Sequence, residues 1–262
     1  MPFLMPVRDK IFGVLIAIGG CLTVWWAVSW AGLVSPFLLP PPVKVWRAFV
    51  ALWSSGELLH HTWASAMRVG IGYGLAVSLA IPLAIVFSAS GVVRGVAEPL
   101  LEFLRQIPPL ALMPLLMLWL GIGEAQKIGI IILACFFPVF LGMRGGIAQA
   151  DRKLIEVGKV CGLNRWEIIR RIVMPSALPA LVVGLRISLG YSWRALVGAE
   201  LIASSVGLGY LITDAQDLAR TDIVLVGILV IGVVGLATDF LLKRLCARLA
   251  PWLAGDLEMA RA

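Results

Sequence analysis

Arg68, Glu98, Glu102, Arg105, Arg186, Arg194, Glu200 and Asp239 all fall inside long apolar runs. A charge held in hydrocarbon is costly, so such residues either line a polar pathway or pair with one another. Arg194 is the sharpest case: it lies in the middle of its run, within GYSWRALVGAELI, almost two helical turns before Glu200. A cation there could pass an anion along, with Ser192 and Trp193 as weaker companions. Pairing of Arg194 or Glu200 within or between helices is the simpler reading, and the residues alone leave both roles open. Glu98, Glu102 and Arg105 share one helical face, and Glu102 and Arg105 can pair locally. Arg186 has a simpler reading, its stem lying along apolar surface while its head reaches lipid phosphate.

A second charged feature is DRKLIEVGKVCGLNRWEIIRRIVMP, residues Asp151 to Pro175. Asp151 can cap a short helix ending near Gly162. Asn164 can cap a second helix, with Glu167 completing a capping box. Pro175 is expected to end that helix. The result is a helix-turn-helix, and composition suits a solvated loop as well as a docking device. Enzyme chemistry finds no support in the chain, which has no H-E-x-x-H and no nucleophile with a base at motif spacing. It also lacks G-x-x-x-x-G-K-[ST], so any ATP hydrolysis belongs to another chain. Cys21, Cys135, Cys161 and Cys246 show no CxxC and read as small packing residues, with neither disulfide nor metal site. His60 and His61 have no Cys or carboxylate companions that would make a metal site.

The elements that must carry these residues are membrane helices. Of the 262 residues, 60% are hydrophobic and only 14% charged, and the mean hydropathy is +0.97. A bilayer core about 30 Å thick takes roughly 20 apolar residues per helix, so the chain has room for about six spans. These are expected near Ile11–Ala31, Thr62–Ser88, Val93–Leu120, Lys127–Met143, Ala177–Ser204 and Ile223–Leu242. Trp25, Trp26 and Trp30 suit an interfacial belt, and the first run is too long for a signal peptide. Pro40, Pro41 and Pro42 precede VKVWRAFVALWSSG, an amphipathic surface helix with Val43, Trp46, Phe49, Val50 and Trp53 on one face. Gly70-x-x-x-Gly74 with Ala76 offers a stripe for close helix approach. Pro108, Pro109 and Pro114 should make the third span irregular. GLGYLITDAQDLARTD is expected to leave the hydrocarbon or dip into the outer interface.

The formal net charge of +7 is distributed as a membrane protein requires, and implies no nucleic-acid partner. Only Lys44, Arg47, Lys127 and Arg220 fall outside. Arg8, Lys10, Arg94, Arg144, the Arg152–Arg171 loop, Lys243, Arg244, Arg248 and Arg261 fall inside. Both termini and the Asp151–Pro175 loop are therefore expected in the cytoplasm. Lys44, Arg47, Asp214, Asp217 and Arg220 form the outer polar rim, a solvated edge or a place for an external protein to dock.

Glu156, Gly162, Ile172 and Pro175 fall at the spacing of the EAA signature, E-A-A-x3-G-x9-I-x-L-P, which permease subunits of bacterial ATP-binding cassette (ABC) importers carry in this loop. Val157, Gly158 and Met174 depart from it. The resemblance runs over nearly the whole chain, through LLPPPVKVW, GELLHHTWAS, IPPLALMPLLMLWLGIGEAQKIGIIILACFFPV, ALPALVVGLRISLGYSW, LVGAELI, GLGYLITDAQ and RTDIVLVGILVIG. On these residues the chain resembles the nitrate, aliphatic sulfonate and taurine permease family. TVWWAVSWAGLVSPFLLPPP is most similar to the taurine branch.

The resemblance implies an all-α, six-span permease of the type I importer (MetI-like) fold. It would form one domain, 1–262, in a bacterial inner membrane, with 151–175 as its coupling loop. It further implies a homodimer, two cytoplasmic ABC ATPase subunits that bind ATP and Mg, a periplasmic binding protein and surrounding lipid, with no cofactor in this chain. Glu156 becomes the charged anchor, Gly162 the turn, and Leu163, Asn164, Arg165, Trp166 and Glu167 the tip that enters the ATPase. Arg105, Ser192, Arg194 and Glu200 become pathway candidates. The implied cargo is taurine or another sulfonate, with nitrate or a thiamine-precursor-like solute as alternatives. A stand-alone secondary transporter is the rival from a different class.

Overall fold

The computed structural model of the chain describes residues 7–249, and every described element is helical. Arg261 lies outside these residues, and so do the side chains of Arg8 and Lys10. The helices are α1 (Val7–Trp30), α2 (Pro42–Ser54), α3 (Glu57–Ala89), α4 (Gly91–Arg105), α5 (Met113–Leu120) and α6 (Glu124–Ala148), followed by α7 (Arg152–Val160), α8 (Arg165–Ile168), α9 (Met174–Ala203), α10 (Leu208–Asp217) and α11 (Thr221–Leu249). Helices α3, α6 and α11 and the continuous run Arg165–Ala203 are each long and apolar enough to cross a membrane. Helix α4 and the Pro109–Leu120 segment act as a fifth crossing bent by 89°, so the expected irregular span is a broken one. Pro108 adopts an extended conformation at the break, and Pro114 opens α5. The apolar part of α1, Ile16–Trp30, is shorter.

One boundary differs from expectation. The chain does not stop at Pro175: α8 passes through a π-helical turn, Ile169–Val173, directly into α9. In an α-helix Pro175 would lack its hydrogen bond and push against the Arg171 carbonyl. A wider turn just before it shifts the bonding register and lets the helix continue.

The core is set by how closely backbones approach. A Cβ on Gly146 would lie 2.6 Å from the Ala177 carbonyl oxygen, one on Gly142 2.9 Å from that of Ala180, and one on Gly184 2.6 Å from that of Pro138. Gly142-x-x-x-Gly146 is therefore the stripe that seats α6 on α9. The expected Gly70-x-x-x-Gly74 stripe is not a contact, because nothing lies within 4 Å of either position. Of the expected stripe only Ala76 is packed, and the packed face of α3 is Gly72, Ala76, Ala80 and Ala84, with Gly72 against Ile131 and the three alanines fully buried. These residues recur every fourth position, the spacing of one helical face.

A charged network ties this scaffold together at the end where α10 begins. Arg68 donates from Nε and Nη2 to Glu124 (2.6 and 2.7 Å), and from Nη1 to Glu200 (2.6 Å) and the Val206 carbonyl (2.6 Å). Glu200 also accepts from the Ser65 hydroxyl (2.8 Å) and the Gly209 N–H (2.9 Å). The Leu208 N–H donates to Ser65 (2.9 Å), the Gly207 N–H to His61 Nδ1 (3.0 Å), and Lys127 Nζ to Glu124 (3.1 Å). Other charges also find carboxylates: Arg144 pairs with Glu98, Arg105 with Glu102 at 2.9 Å, and Arg186 with Asp239 at 3.0 Å. Arg186 is thus bound within the protein and does not reach out to lipid. Cys135 and Cys246 pack inside, whereas Cys21 and Cys161 are exposed and fill no interior gap.

Two outcomes check this architecture. Gly146→Ala should cost about 1–3 kcal/mol, because the new methyl meets backbone that cannot swing aside, while Gly74→Ala should leave thermal stability in detergent unchanged. Arg68→Met strands the Glu200 carboxylate and should cost about 3–5 kcal/mol. Arg68→Met with Glu200→Met should recover part of that loss. Equal stability of the single and double variants would contradict the pairing.

Candidate functional site: the loop and the cavity

Two places on the scaffold are built for interaction. The first is the α7–α8 loop. Asp151 caps α7 by accepting the Lys153 N–H at 2.8 Å. Asn164 and Glu167 form the complete capping box, with bonds of 2.9 and 3.0 Å. Between the helices Gly162 has φ +79°, a left-handed conformation that L side chains seldom adopt. The Leu163 N–H then turns back to the Gly158 carbonyl (3.0 Å).

Inside this unit, Gly158 is buried, and a Cβ there would lie 2.8 Å from Ile172 Cδ1. Glycine in place of the motif's second alanine lets the Ile172 side chain lie directly against the backbone here. Outside it, Leu154, Val157, Val160 and Trp166 expose apolar surface, Val160 to 89%. Glu156 and Arg165 are exposed, and Leu163 is partly covered. Glu167 is engaged by Asn164 and, at 3.6 Å, by Arg171. Among the described residues Glu156 has no ion-pair partner. An acid without a partner beside an exposed apolar strip can bind a protein surface that is apolar with a basic socket.

The second place is a half-open cavity of about 1150 Å³ between the α4–α5 break, α6 and α9. Arg105, Gln106, Pro108, Pro109, Tyr191 and Arg194 supply its polar and irregular wall, and most of the rest is aliphatic or Phe. From Ala180 to Ala195 it follows α9 for about 22 Å at 1.5 Å per residue. Arg194 is exposed to it, its guanidinium 5.7 Å from the centre of the Tyr191 ring. Among the described residues its donors meet no carboxylate, unlike those of Arg105.

Four residues were expected at a pathway, and the structure separates them. Arg105 and Arg194 face the cavity, Glu200 belongs to the buried network, and Ser192 is buried with its hydroxyl on the Leu189 carbonyl (2.6 Å). At the rim expected to face outward, Lys44, Arg47, Asp217 and Arg220 are exposed and Asp214 is half-buried. Arg220 pairs with the buried Asp222 at 3.1 Å. Asp214 accepts from the Tyr210 hydroxyl at 3.3 Å, and its charge pushes that phenol above its ordinary range. Sequence reasoning missed the parts of Ser65, His61, Glu124 and Gly207 in the buried network. Their only advance signal was the opposite charge of Arg68 and Glu200 in separate apolar runs.

Residues 72–251 match the family model described as "Binding-protein-dependent transport system inner membrane component". The taurine transport system permease protein of Escherichia coli (strain K12) is 38% identical over 236 residues, covering 88% of this chain and 86% of that protein. The putative aliphatic sulfonates transport permease protein of Bacillus subtilis (strain 168) is 38% identical over 231 residues, covering 88% and 84%. The bicarbonate transport system permease protein of a Synechocystis species is 31% identical over 245 residues, covering 89% and 85%. Among solved structures, a chain of the inward-facing MetNI methionine ABC transporter aligns with a TM-score of 0.56 at 16% identity, over 70% of this chain and 93% of that one. This last likeness speaks to fold alone. The helices, the family match and these relatives together make the chain a multi-pass inner-membrane permease of the binding-protein-dependent ABC transporters, in the taurine, sulfonate and bicarbonate group.

Proposed function

We propose that this permease imports a small organic sulfonate, taurine foremost, as a homodimer driven by two cytoplasmic ATPase subunits and fed by a periplasmic binding protein. The observation that carries the reading is Arg194, a guanidinium without a carboxylate partner among the described residues, in a long, mostly apolar cavity. A small anion entering there meets one cation and a second, Arg105, already tempered by Glu102. Attraction without a full cage suits passage better than storage. The cavity is open on one side, and a second copy closes it into a channel.

The loop supplies the drive. Glu156 anchors α7 to a basic socket on the ATPase, Gly162 makes the turn, and Leu163, Asn164, Arg165, Trp166 and Glu167 form the inserted tip. ATP closes the ATPase pair, the two docked loops move together, and the dimer shifts from inward-open to outward-open. At the opposite rim Asp214, Asp217 and Arg220 receive the binding protein.

Reconstitution tests each part. The purified permease in liposomes should show neither ATPase activity nor uptake, and should gain both with its ATPase and loaded binding protein. Uptake driven by a proton or sodium gradient without any ATPase would sink the reading. In the complete system Glu156→Lys should abolish coupled uptake while the bundle stays folded. Arg194→Gln should lower sulfonate uptake about tenfold, the scale of one lost charge-assisted hydrogen bond, with the ATPase still docked. Ligand binding to the partner binding protein separates taurine from nitrate, bicarbonate or another sulfonate.

A further inference from the structure

The entry to α10 is held by acceptors that belong to other helices. Gly207 precedes α10 and has no side chain to cap it, and the first amides of a helix have no partner within it. They are met from α3 and α9. The Gly207 N–H donates to His61 Nδ1 at 3.0 Å, the Leu208 N–H to the Ser65 hydroxyl at 2.9 Å, and the Gly209 N–H to Glu200 at 2.9 Å. His61, Ser65 and Arg68 follow one another on a single face of α3, and Arg68 holds the Val206 carbonyl just upstream at 2.6 Å. All three acceptors are buried, so an amide released from one of them has no water at hand.

The three differ in what a proton does to them. A hydroxyl does not titrate in the physiological range, and Glu200 is paired with Arg68 at 2.6 Å. An imidazole changes charge between about pH 5 and 8. Because Nδ1 accepts, the ring is the neutral tautomer with its proton on Nε2. A proton added to Nδ1 turns this acceptor into a donor facing the Gly207 N–H, and that bond cannot survive. Several charged groups face the ring. On α3, the exposed Glu57 has Oε1 3.9 Å from Nε2 and favours the added proton, whereas His60, with ring centres 5.7 Å apart, opposes a second positive charge. On α10, Asp214 favours the proton and the Tyr210 ring lies 5.8 Å away. From α9, Glu200 is already committed to Arg68, Ser65 and Gly209.

We propose that His61 is a positioning residue whose neutral ring holds the turn into α10, and that a proton taken up at Nδ1 releases this turn and weakens the response to the binding protein. The released state takes the proton more readily than the held one. The held state is therefore present at neutral pH and above, and is lost as the pH falls. The final step rests on the reading that Asp214 and Asp217, both carried by α10, receive the binding protein.

Hydrogen exchange of residues 204–210, in the full chain in lipid nanodiscs at about pH 7.5 and about pH 5.5, tests the proposal across the range in which imidazole titrates. Each rate is compared with that of His61→Asn at the same pH, because Asn sets a carbonyl oxygen where His sets Nδ1 and does not titrate. Relative to that variant, Gly207 in the unaltered chain should exchange faster on acidification, by up to about tenfold for each pH unit over which one proton is linked to opening. Glu57→Gln should move the change to lower pH, since its charge no longer favours the imidazolium, and His60→Asn should keep the change. The chain has two histidines, so in His60→Asn the nitrogen-15 resonances of imidazole report His61 alone. They should show a neutral ring protonated on Nε2 at the higher pH, gaining its second proton as Gly207 loses protection. This readout decides the question even if His61→Asn fails to hold the turn at either pH. In the assembled transporter, binding-protein stimulation of the ATPase should fall with acid in the unaltered chain and persist in His61→Asn. Exchange that ignores pH, an equal acid response in His61→Asn, or a ring protonated on Nδ1 at the higher pH overturns the proposal. Exchange that responds while stimulation persists overturns the regulatory step alone, and stimulation itself then upholds the ATPase-driven reading.

Discussion

Within hydrocarbon no water is available to complete a polar group, and Arg68 with Glu200 shows what that demands. Glu200 is 1% exposed, so its charge stands only if its oxygens are met from within. They are met by Arg68, Ser65 and the Gly209 N–H. Two of these donors stand on α3 and the third opens α10, so satisfying the one carboxylate on α9 fixes α3, α9 and the entry to α10 together, and Arg68 brings in α6 through Glu124. The turn before α10 has little choice of residue. Gly207 has φ +136°, and a Cβ there would fall 2.3 Å from the carboxylate oxygen. A buried pair of this kind need not add net stability over an apolar replacement, but it penalises any packing that separates its partners.

The same demand shapes the other end of the scaffold. Helix α9 reaches from the charged network to the π turn, and through it to Trp166 at the tip of the loop. With α6 seated on it through glycines against backbone carbonyls rather than flexible side chains, α9 has few ways to slide locally. On the proposed reading, force applied at the loop is then carried along one continuous helical run to the cavity wall at Tyr191 and Arg194. A true helix stop at Pro175 would have decoupled them. The π turn retains the continuity that the proline threatens.

Legibility in the sequence followed the range of the interaction. The caps at Asp151 and Asn164 and the turn at Gly162 depend on residues within a few positions, and they stood where the letters put them. The break at Pro108 was equally local. Helix pairing was not: Gly70 and Gly74 have the same spacing as Gly142 and Gly146, and only the partner helix decides which stripe is used. Arg68 and Glu200 are 132 residues apart, so no periodicity links them. The fate of Pro175 escaped for another reason, because a local rule about missing donors does not foresee a change of hydrogen-bond register upstream.

The fate of the intramembrane arginines bears on cargo. Arg68, Arg105, Arg144 and Arg186 each face a carboxylate, whereas Arg194 faces the tyrosine ring and the cavity. A guanidinium over an aromatic face keeps its in-plane donors available, since the ring meets the cation from one side. Such a group can take a carboxylate-sized or sulfonate-sized anion through paired donors. The other donors on the wall are Gln106, Tyr191 and Arg105, the last already held by Glu102, and the rest is mostly aliphatic. An anion would therefore be drawn in and still leave. On the proposed reading, discrimination among anions of similar size needs a more fully enclosed site than this wall provides, so selection falls to the binding protein and Arg194 sets the sign of the charge.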